Sequence, residues 1–252
     1  MAANPDKKSD VPRLSLIIPA YNEAGRIEKT LRHALRYLDD QDYDAELIVV
    51  DDGSTDATAG VIRAFRTAYT TPLRLHQLPK NKGKGAAVKA GMIQMAKGEI
   101  RVFFDADEST PIEELAKLWP VIDGGAEVVI GSRSLPDSQV EIRQAKYRES
   151  MGRIFNRMLR LLKLSDFIDT QCGFKAFTAA AAHQIFSRQT LDGFSFDVEI
   201  LYIAQKRGLK IDEIPVVWRN NEASRVNPLT DSTRMFFDLL RIKVRDWKHV
   251  YD

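Results

Sequence analysis

Short apolar runs alternate with amphipathic stretches through the first half of the chain. Leu14, Leu16, Ile17 and Ile18 form a run of buried-strand type. Residues 23–38 follow, with Ile27, Leu31, Ala34, Leu35 and Leu38 on one helical face. The pattern repeats: strand 47–50, helix 57–69, strand 73–77, helix 85–97, strand 100–104. A further helix is announced by Thr110 as N-cap, Pro111 at its first position and Glu113 closing a capping box. A strand over 127–130 comes next. Such alternation predicts an α/β fold, a mostly parallel central sheet with helices on both faces. The second half changes character: a long helical pattern over 144–164, a helix over 196–207, a strand over 211–218 and a last helix over 232–248. Both halves are expected to share one sheet or pack on it. One domain over 13–245 would lie between a polar tail, 1–12, and a short C-terminal tail, 246–252.

Composition narrows the classes. With 252 residues, 44% of them hydrophobic, the chain can bury the core of one large domain. A net charge of +2 argues against a nucleic-acid binder working by bulk charge. The single cysteine, Cys172, excludes an internal disulfide and is compatible with a reducing compartment, and the scattered histidines show no zinc spacing. Residues 1–10 are polar without a signal-peptide core, and no apolar run has the length of a bilayer span. The expectation is a cytoplasmic protein, at most peripheral on the cytoplasmic face of a membrane. A membrane surface is suggested by the helix near 144–164. There Arg143, Lys146, Arg148, Arg153, Arg157, Arg160 and Lys163 are interleaved with Met151, Ile154, Phe155, Met158, Leu159, Leu161 and Leu162. The apolar residues of the last helix are expected to pack on the sheet instead.

Candidate chemistry sits after the strands. Asp105-Ala106-Asp107 ends the apolar run over 100–104, and would deliver two carboxylates to the sheet's carboxyl edge, where open α/β sheets bind ligands. Neighbouring carboxylates repel unless a cation lies between them or one is protonated. A hard divalent ion, Mg²⁺ or Mn²⁺, would also hold a diphosphate. A solvated acidic turn at a helix start explains the motif equally well on its own. Pro19-Ala20-Tyr21-Asn22-Glu23 offers an aromatic ring and a carboxylate to a base or ribose, or a plain turn with Asn22 as N-cap. Asp51-Asp52-Gly53-Ser54 offers a carboxylate to a nucleoside, or a capped turn. Asn81-Lys82-Gly83-Lys84-Gly85 fits a phosphate cradle or an exposed basic turn. Neither a dinucleotide fingerprint nor a P-loop is present. All four segments fall at one sheet edge, which favours an enzyme using a nucleotide diphosphate.

In order and content these motifs, with Gly131-Ser132-Arg133, resemble those of family 2 glycosyltransferases. Asp169-Thr170-Gln171-Cys172-Gly173-Phe174-Lys175, residues 196–201 and Ala223-Ser224-Arg225 resemble the dolichyl-phosphate β-glucosyltransferase branch, related to the dolichyl-phosphate mannose synthases. The resemblance implies a single GT-A domain and an inverting, metal-dependent sugar transfer to a polyprenyl phosphate. UDP-glucose is the expected donor and GDP-mannose the alternative. It implies that Pro19, Ala20, Tyr21, Glu23 and Asp52 surround the nucleoside, and that Asp105 and Asp107 hold metal and diphosphate. Lys84 and Arg133 would face phosphates or sugar, and Arg225 would close on a phosphate. Gln171, Lys175, Asp197 and Glu199 would lie on the acceptor side. Asp197 and Glu199 also read as acids at a helix N-terminus, and Cys172 as a small buried residue. Eukaryotic members of the branch carry an N-terminal anchor and many bacterial ones C-terminal spans; neither pattern is present in these 252 residues. Glu108, beside the paired acids, is a departure expected to face solvent. Two other readings remain: a hydroxyl-acceptor enzyme of the same fold, and a nucleotide-sugar-binding protein without turnover.

Overall fold

The computed structural model describes residues 11–65, 69–142, 146–219 and 230–252. The chain opens with β1 (Leu14–Ala20), α1 (Ile27–Asp39), β2 (Ala45–Asp51), α2 (Thr58–Ala64), β3 (Leu73–Gln77), α3 (Lys84–Ala90) and β4 (Ile100–Phe104). It continues through α4 (Leu118–Asp123), β5 (Val128–Ser132), β6 (Gln139–Ile142), α5 (Lys146–Leu161), β7 (Phe174–Thr178) and α6 (Ala179–Phe186). The last elements are α7 (Phe196–Lys206), β8 (Ile211–Pro215), β9 (Val217–Arg219) and α8 (Thr230–Trp247).

Among the described residues a seven-stranded sheet runs β3-β2-β1-β4-β7-β5-β8. β3, β2, β1 and β4 are mutually parallel, as are β5 and β8. β7 is antiparallel to both β4 and β5 and joins the two parallel blocks. The strands alternate as a sheet covered on both faces requires. Leu16, Ile18, Leu47, Val49, Val102 and Phe104 enter one apolar layer with α1, while Ile17, Ile48, Val50 and Phe103 enter the other with α3, α6 and α7. The expected α/β architecture is therefore present, with helices on both faces and one sheet shared by the two halves.

Four local expectations differ. The proposed capping box does not form: Pro111 is still extended at ψ 146°, and a 3₁₀ turn over Ile112–Lys117 precedes α4. Thr110 is buried, and Glu114 rather than Glu113 is engaged, accepting from Lys117 Nζ at 2.7 Å. The strand expected over 211–218 is divided at Val216, so that β8 joins the main sheet and β9 pairs with β6 in a small two-stranded sheet. Residues 246–252 do not trail away: Trp247 ends α8, Tyr251 is fully buried and its hydroxyl donates to Glu199 Oε1 at 2.7 Å. Glu108 does not face solvent but pairs with Lys29 at 3.0 Å and His33 at 2.7 Å on α1.

Candidate active site

The carboxyl ends of β1, β2 and β4 lie side by side because the three strands are parallel and in register. The loops leaving them are locked together by their own polar groups. Asp52 N donates to Ala20 O at 2.8 Å, and its buried carboxylate accepts from Asn81 Nδ2, Lys82 N and Gly83 N at 2.9, 2.8 and 2.7 Å. Burial, opposed by these bonds, raises the Asp52 pKa. Asp52 thus closes the 81–83 loop. Gly83 is required there: φ is 114°, and a Cβ would lie 2.4 Å from Asp192 O. Asn22, at φ 52°, receives no helix-capping duty; its N donates to Ser54 Oγ and its Oδ1 accepts from Thr55 N, both at 2.8 Å. Pro19 and Tyr21 are half-buried at the same edge, and Ala20 is buried.

The paired acids follow β4. Asp105 N donates to Gly173 O at 3.1 Å, and Asp105 Oδ1 meets Lys84 Nζ at 2.6 Å. Asp107 Oδ1 accepts from Ser109 N at 2.9 Å. Burial and then the charge of Asp105 push the Asp107 carboxyl above its usual range. Burial opposes the Lys84 charge, but Asp105, Asp197 and Asp107 outweigh it and raise its pKa. Lys84 therefore stands, as a cation, against one of the two adjacent carboxylates, Asp105.

Arg26, at the entrance to α1, was not recognised in the sequence because its spacing marks it as an ordinary helix-start residue. Its Nη2 donates to Glu23 Oε1 at 2.7 Å and its Nε to Oε2. The Glu23 bond, opposed by burial and reinforced by Glu23, Asp107 and Asp105, raises its pKa. Its Nη1 is buried with no hydrogen-bond partner among the described residues.

On the other side of the edge, Arg133 follows β5 and grips Asp169: N to Oδ2 at 3.0 Å, Nε to Oδ2 at 2.6 Å and Nη2 to Oδ1 at 2.8 Å. Gln171 N donates to Asp169 Oδ1 at 3.2 Å. Cys172 is buried, and burial followed by Asp169 pushes its thiol up to about 11, as an inert small residue requires. Lys175 is fully buried and bonds Asp197 Oδ1 at 2.5 Å and Cys172 O at 2.6 Å. Glu199 is also fully buried, but it accepts from Thr190 N, Leu191 N and Tyr251 Oη. Its contacts tie a loop and the chain end together. Arg225 lies outside the described residues.

The glycosyl transferase family 2 model matches residues 15–186, more than half of the chain. The chain belongs to family 2 of the glycosyltransferases. Proteins named dolichyl-phosphate beta-glucosyltransferase are similar to it: that of Dictyostelium discoideum is 34% identical over 92% of this chain and 74% of its own length. That of Homo sapiens is 34% identical over 94% and 76%. A glucosyl-3-phosphoglycerate synthase from Mycobacterium tuberculosis, solved with Mn²⁺, UDP and glucosyl-3-phosphoglycerate, shares the fold at a TM-score of 0.68 and 23% identity, over 92% of this chain and 80% of that one.

Of the predicted glycosyltransferase site, the fold gathers Pro19, Ala20, Tyr21, Glu23, Asp52, Lys84, Asp105 and Asp107 at the carboxyl edge of β1, β2 and β4, with Arg133 and Gln171 across from them. The two acids fit a hard divalent ion whose remaining ligands are oxygens of a diphosphate and water. No group of three or more His, Cys, Asp or Glu side chains able to hold a metal occurs among the described residues. Asp105 and Asp107 would thus hold the ion only in partnership with the donor.

Proposed function

We propose that this glycosyltransferase moves glucose from UDP-glucose to a dolichyl or other polyprenyl phosphate, inverting the anomeric carbon to give a β-linked product. The reading rests first on the relatives' shared name and their cover of most of the chain. The observation that carries the acceptor class is the state of the two acids closest to being a base. Among the described residues, Asp197 is locked to Lys175, and Glu199 is occupied by Thr190 N, Leu191 N and Tyr251 Oη. A sugar hydroxyl needs a base within hydrogen-bond reach. A phosphate monoester, with its second pKa of about 6, is already largely dianionic. Phosphate acceptance therefore asks of the protein only positioning and charge neutralisation.

In this reading Tyr21, Glu23 and the Asp52-held loop frame the nucleoside. Arg26 Nη1 and Lys84 offer donors to the diphosphate, and Arg133 is held by Asp169 to face the acceptor phosphate. Asp105 and Asp107 would hold Mg²⁺ or Mn²⁺, which supplies Lewis-acid stabilisation of the departing UDP when bound. Arg225 would add a further cation to a phosphate.

The acceptor lies in a membrane, and no helix among the described residues is long and apolar enough to cross one. The protein would act peripherally, from the cytoplasmic face. Two helices could serve, α5 and α8. In α5, Phe155, Met158 and Leu159 pack on the core while Leu161 is exposed, and the side chains of Met151 and Ile154 lie outside those described. In α8, Leu239 and Ile242 are buried while Phe236, Phe237, Leu240, Val244 and Trp247 stand exposed on a second face.

The test is incubation with labelled UDP-glucose and GDP-mannose in parallel, with Mn²⁺, with and without a polyprenyl phosphate, followed by lipid extraction. Label from UDP-glucose in lipid, acid-labile and β by NMR, is expected, with none from Asp107→Ala. Product formed only on a hydroxyl acceptor, or nucleotide binding without turnover, overturns the proposal.

A further inference from the structure

A fully buried charge in the middle of a sheet needs a reason. Lys175 lies opposite Phe103 in β4, its backbone already used in the ladder, and its ammonium is 5.1 Å from the Phe103 ring centroid. Its partner Asp197, in the first turn of α7, is equally buried. A buried ion pair is no more stabilising than apolar residues of similar volume, because desolvation consumes the Coulombic gain. The pair's use is then to be sought in what it holds.

Lys175 Nζ divides itself between Asp197 Oδ1 at 2.5 Å and Cys172 O at 2.6 Å. The carbonyl it holds belongs to the peptide leading into Gly173. Gly173 in turn touches the acid of the donor site. Its carbonyl accepts from Asp105 N at 3.1 Å, and a Cβ on Gly173 would lie 1.9 Å from Asp105 Oδ2. On its other side the Asp105 carboxylate is met by Lys84 at 2.6 Å. Asp105 is thus set between a lysine and a backbone whose height depends on a second, buried lysine.

We propose that Lys175 and Asp197 are a positioning pair: by fixing the Cys172–Gly173 peptide they set the orientation of the Asp105 carboxylate. Lys175 then acts from beneath the donor side and not on the acceptor. The proposal rests on Asp105 being a donor-site ligand, as proposed above. Groups that orient metal ligands typically change metal affinity by 10- to 100-fold when removed, and small misplacements of a reacting array cost about a hundredfold in rate.

The informative variant removes the whole pair, Lys175→Met with Asp197→Leu, so that no charge is left buried alone. Mn²⁺ binding in the presence of UDP is followed by electron paramagnetic resonance, alongside the melting temperature and the kcat and KM of sugar transfer. A melting temperature at or above that of the unaltered protein is expected, with Mn²⁺–UDP affinity down about 10- to 100-fold and kcat reduced more than the acceptor KM changes. Gly173→Ala, which displaces the carboxylate directly, should show the same loss. Should the double variant not fold, Gly173→Ala and Asp197→Asn carry the test. Unchanged Mn²⁺–UDP affinity in the folded variants overturns the positioning role. Absence of Mn²⁺–UDP binding by the unaltered protein is a different result and overturns the donor-site reading itself.

Discussion

At the scale of single residues, the site is a set of charges whose protonation is decided by neighbours. Asp169 is the clearest case. Burial alone would raise its carboxyl, but the Arg133 charge and hydrogen bonds outweigh burial and hold it below the usual range. A carboxylate whose folded pKa is depressed contributes stability above its unfolded pKa, about 3.9. That contribution is lost as pH falls through the folded value. Urea melts at pH 7, 5, 4 and 3 should therefore show stability falling below about pH 4. Asp169→Asn should be destabilised at pH 7 by about 3–5 kcal/mol, because it leaves Arg133 half-buried without its counter-charge. Its further loss below pH 4 should be shallower. A variant with the parent's acid slope would assign that slope to other carboxylates. Asp52, Asp107 and Asp197 are opposite in sign: burial raises each of them, opposed at Asp52 by the Lys82 and Gly83 amides, at Asp107 by the Ser109 amide and at Asp197 by the Lys175 charge. The residue types of the site were legible from their order along the chain. Their partners were not, since Asp169 and Arg133 are separated by 36 positions and only the antiparallel return of β7 brings Gly173 to Asp105.

Elements were legible where apolar periodicity was long and uninterrupted, as in α1 and β1 to β4. β7 escaped because Lys175 breaks its apolar pattern with a buried charge, a choice made by the site and not by the sheet. The Thr110 capping box failed because a local motif cannot compete with the buried Glu114, whose carboxylate also accepts from Val217 N at 3.3 Å on β9. α8 shows the limit of reading one apolar stripe. Its sequence carries two: Leu239 and Ile242 toward the core, and Phe236, Leu240, Val244 and Trp247 at intervals of three and four along another face. Arg241 and Lys248 are exposed beside that outer face. Of the helix's acids, Asp238 is taken by Arg241 at 2.9 Å and Asp246 by Lys206 at 2.7 Å, while the Asp231 side chain lies outside those described. Exposed apolar side chains edged by cations suit an anionic lipid surface. Flotation with phosphatidylglycerol vesicles should carry the protein upward at low salt. Raising salt should weaken binding without abolishing it, because charge is screened and apolar burial is not. Val244→Glu with Trp247→Glu should remove binding and leave the melting temperature within a few degrees. No flotation at low salt, or equal flotation of the variant, would exclude α8 as the lipid contact; a stable dimer lost in the variant would assign the face to a second copy.

At the scale of the whole molecule, the β1–β4 half of the sheet and the candidate site's place on it follow from parallel strand order, which the alternating pattern revealed. The half built from β7, β5 and β8 depends on contacts between distant segments and was not revealed. The division has a thermodynamic consequence. A metal bound as proposed would find two candidate carboxylates among the described residues, and Lys84 already compensates one of them. Mn²⁺ alone must displace that ammonium while gaining few ligands, whereas UDP alone must bring its diphosphate to a pair of acids. Each ligand supplies what the other lacks, so their binding should be strongly coupled, and by linkage equally so in either order. A ligand at a hundred times its Kd stabilises the native state by about 2.7 kcal/mol. In a domain of this size, each kcal/mol shifts the melting temperature by roughly 2–4 °C. Mn²⁺ and UDP together should raise the melting temperature by about 5–10 °C on those figures, and the sum of the separate shifts should be much smaller. Asp107→Ala should lose the joint shift while keeping its own melting temperature near the parent's, since the deleted carboxylate was itself disfavoured by burial and by Asp105. Additive shifts in the unaltered protein would mean that metal and nucleotide bind apart. The two acids would then be a turn at the end of β4 and not the place where the donor is held.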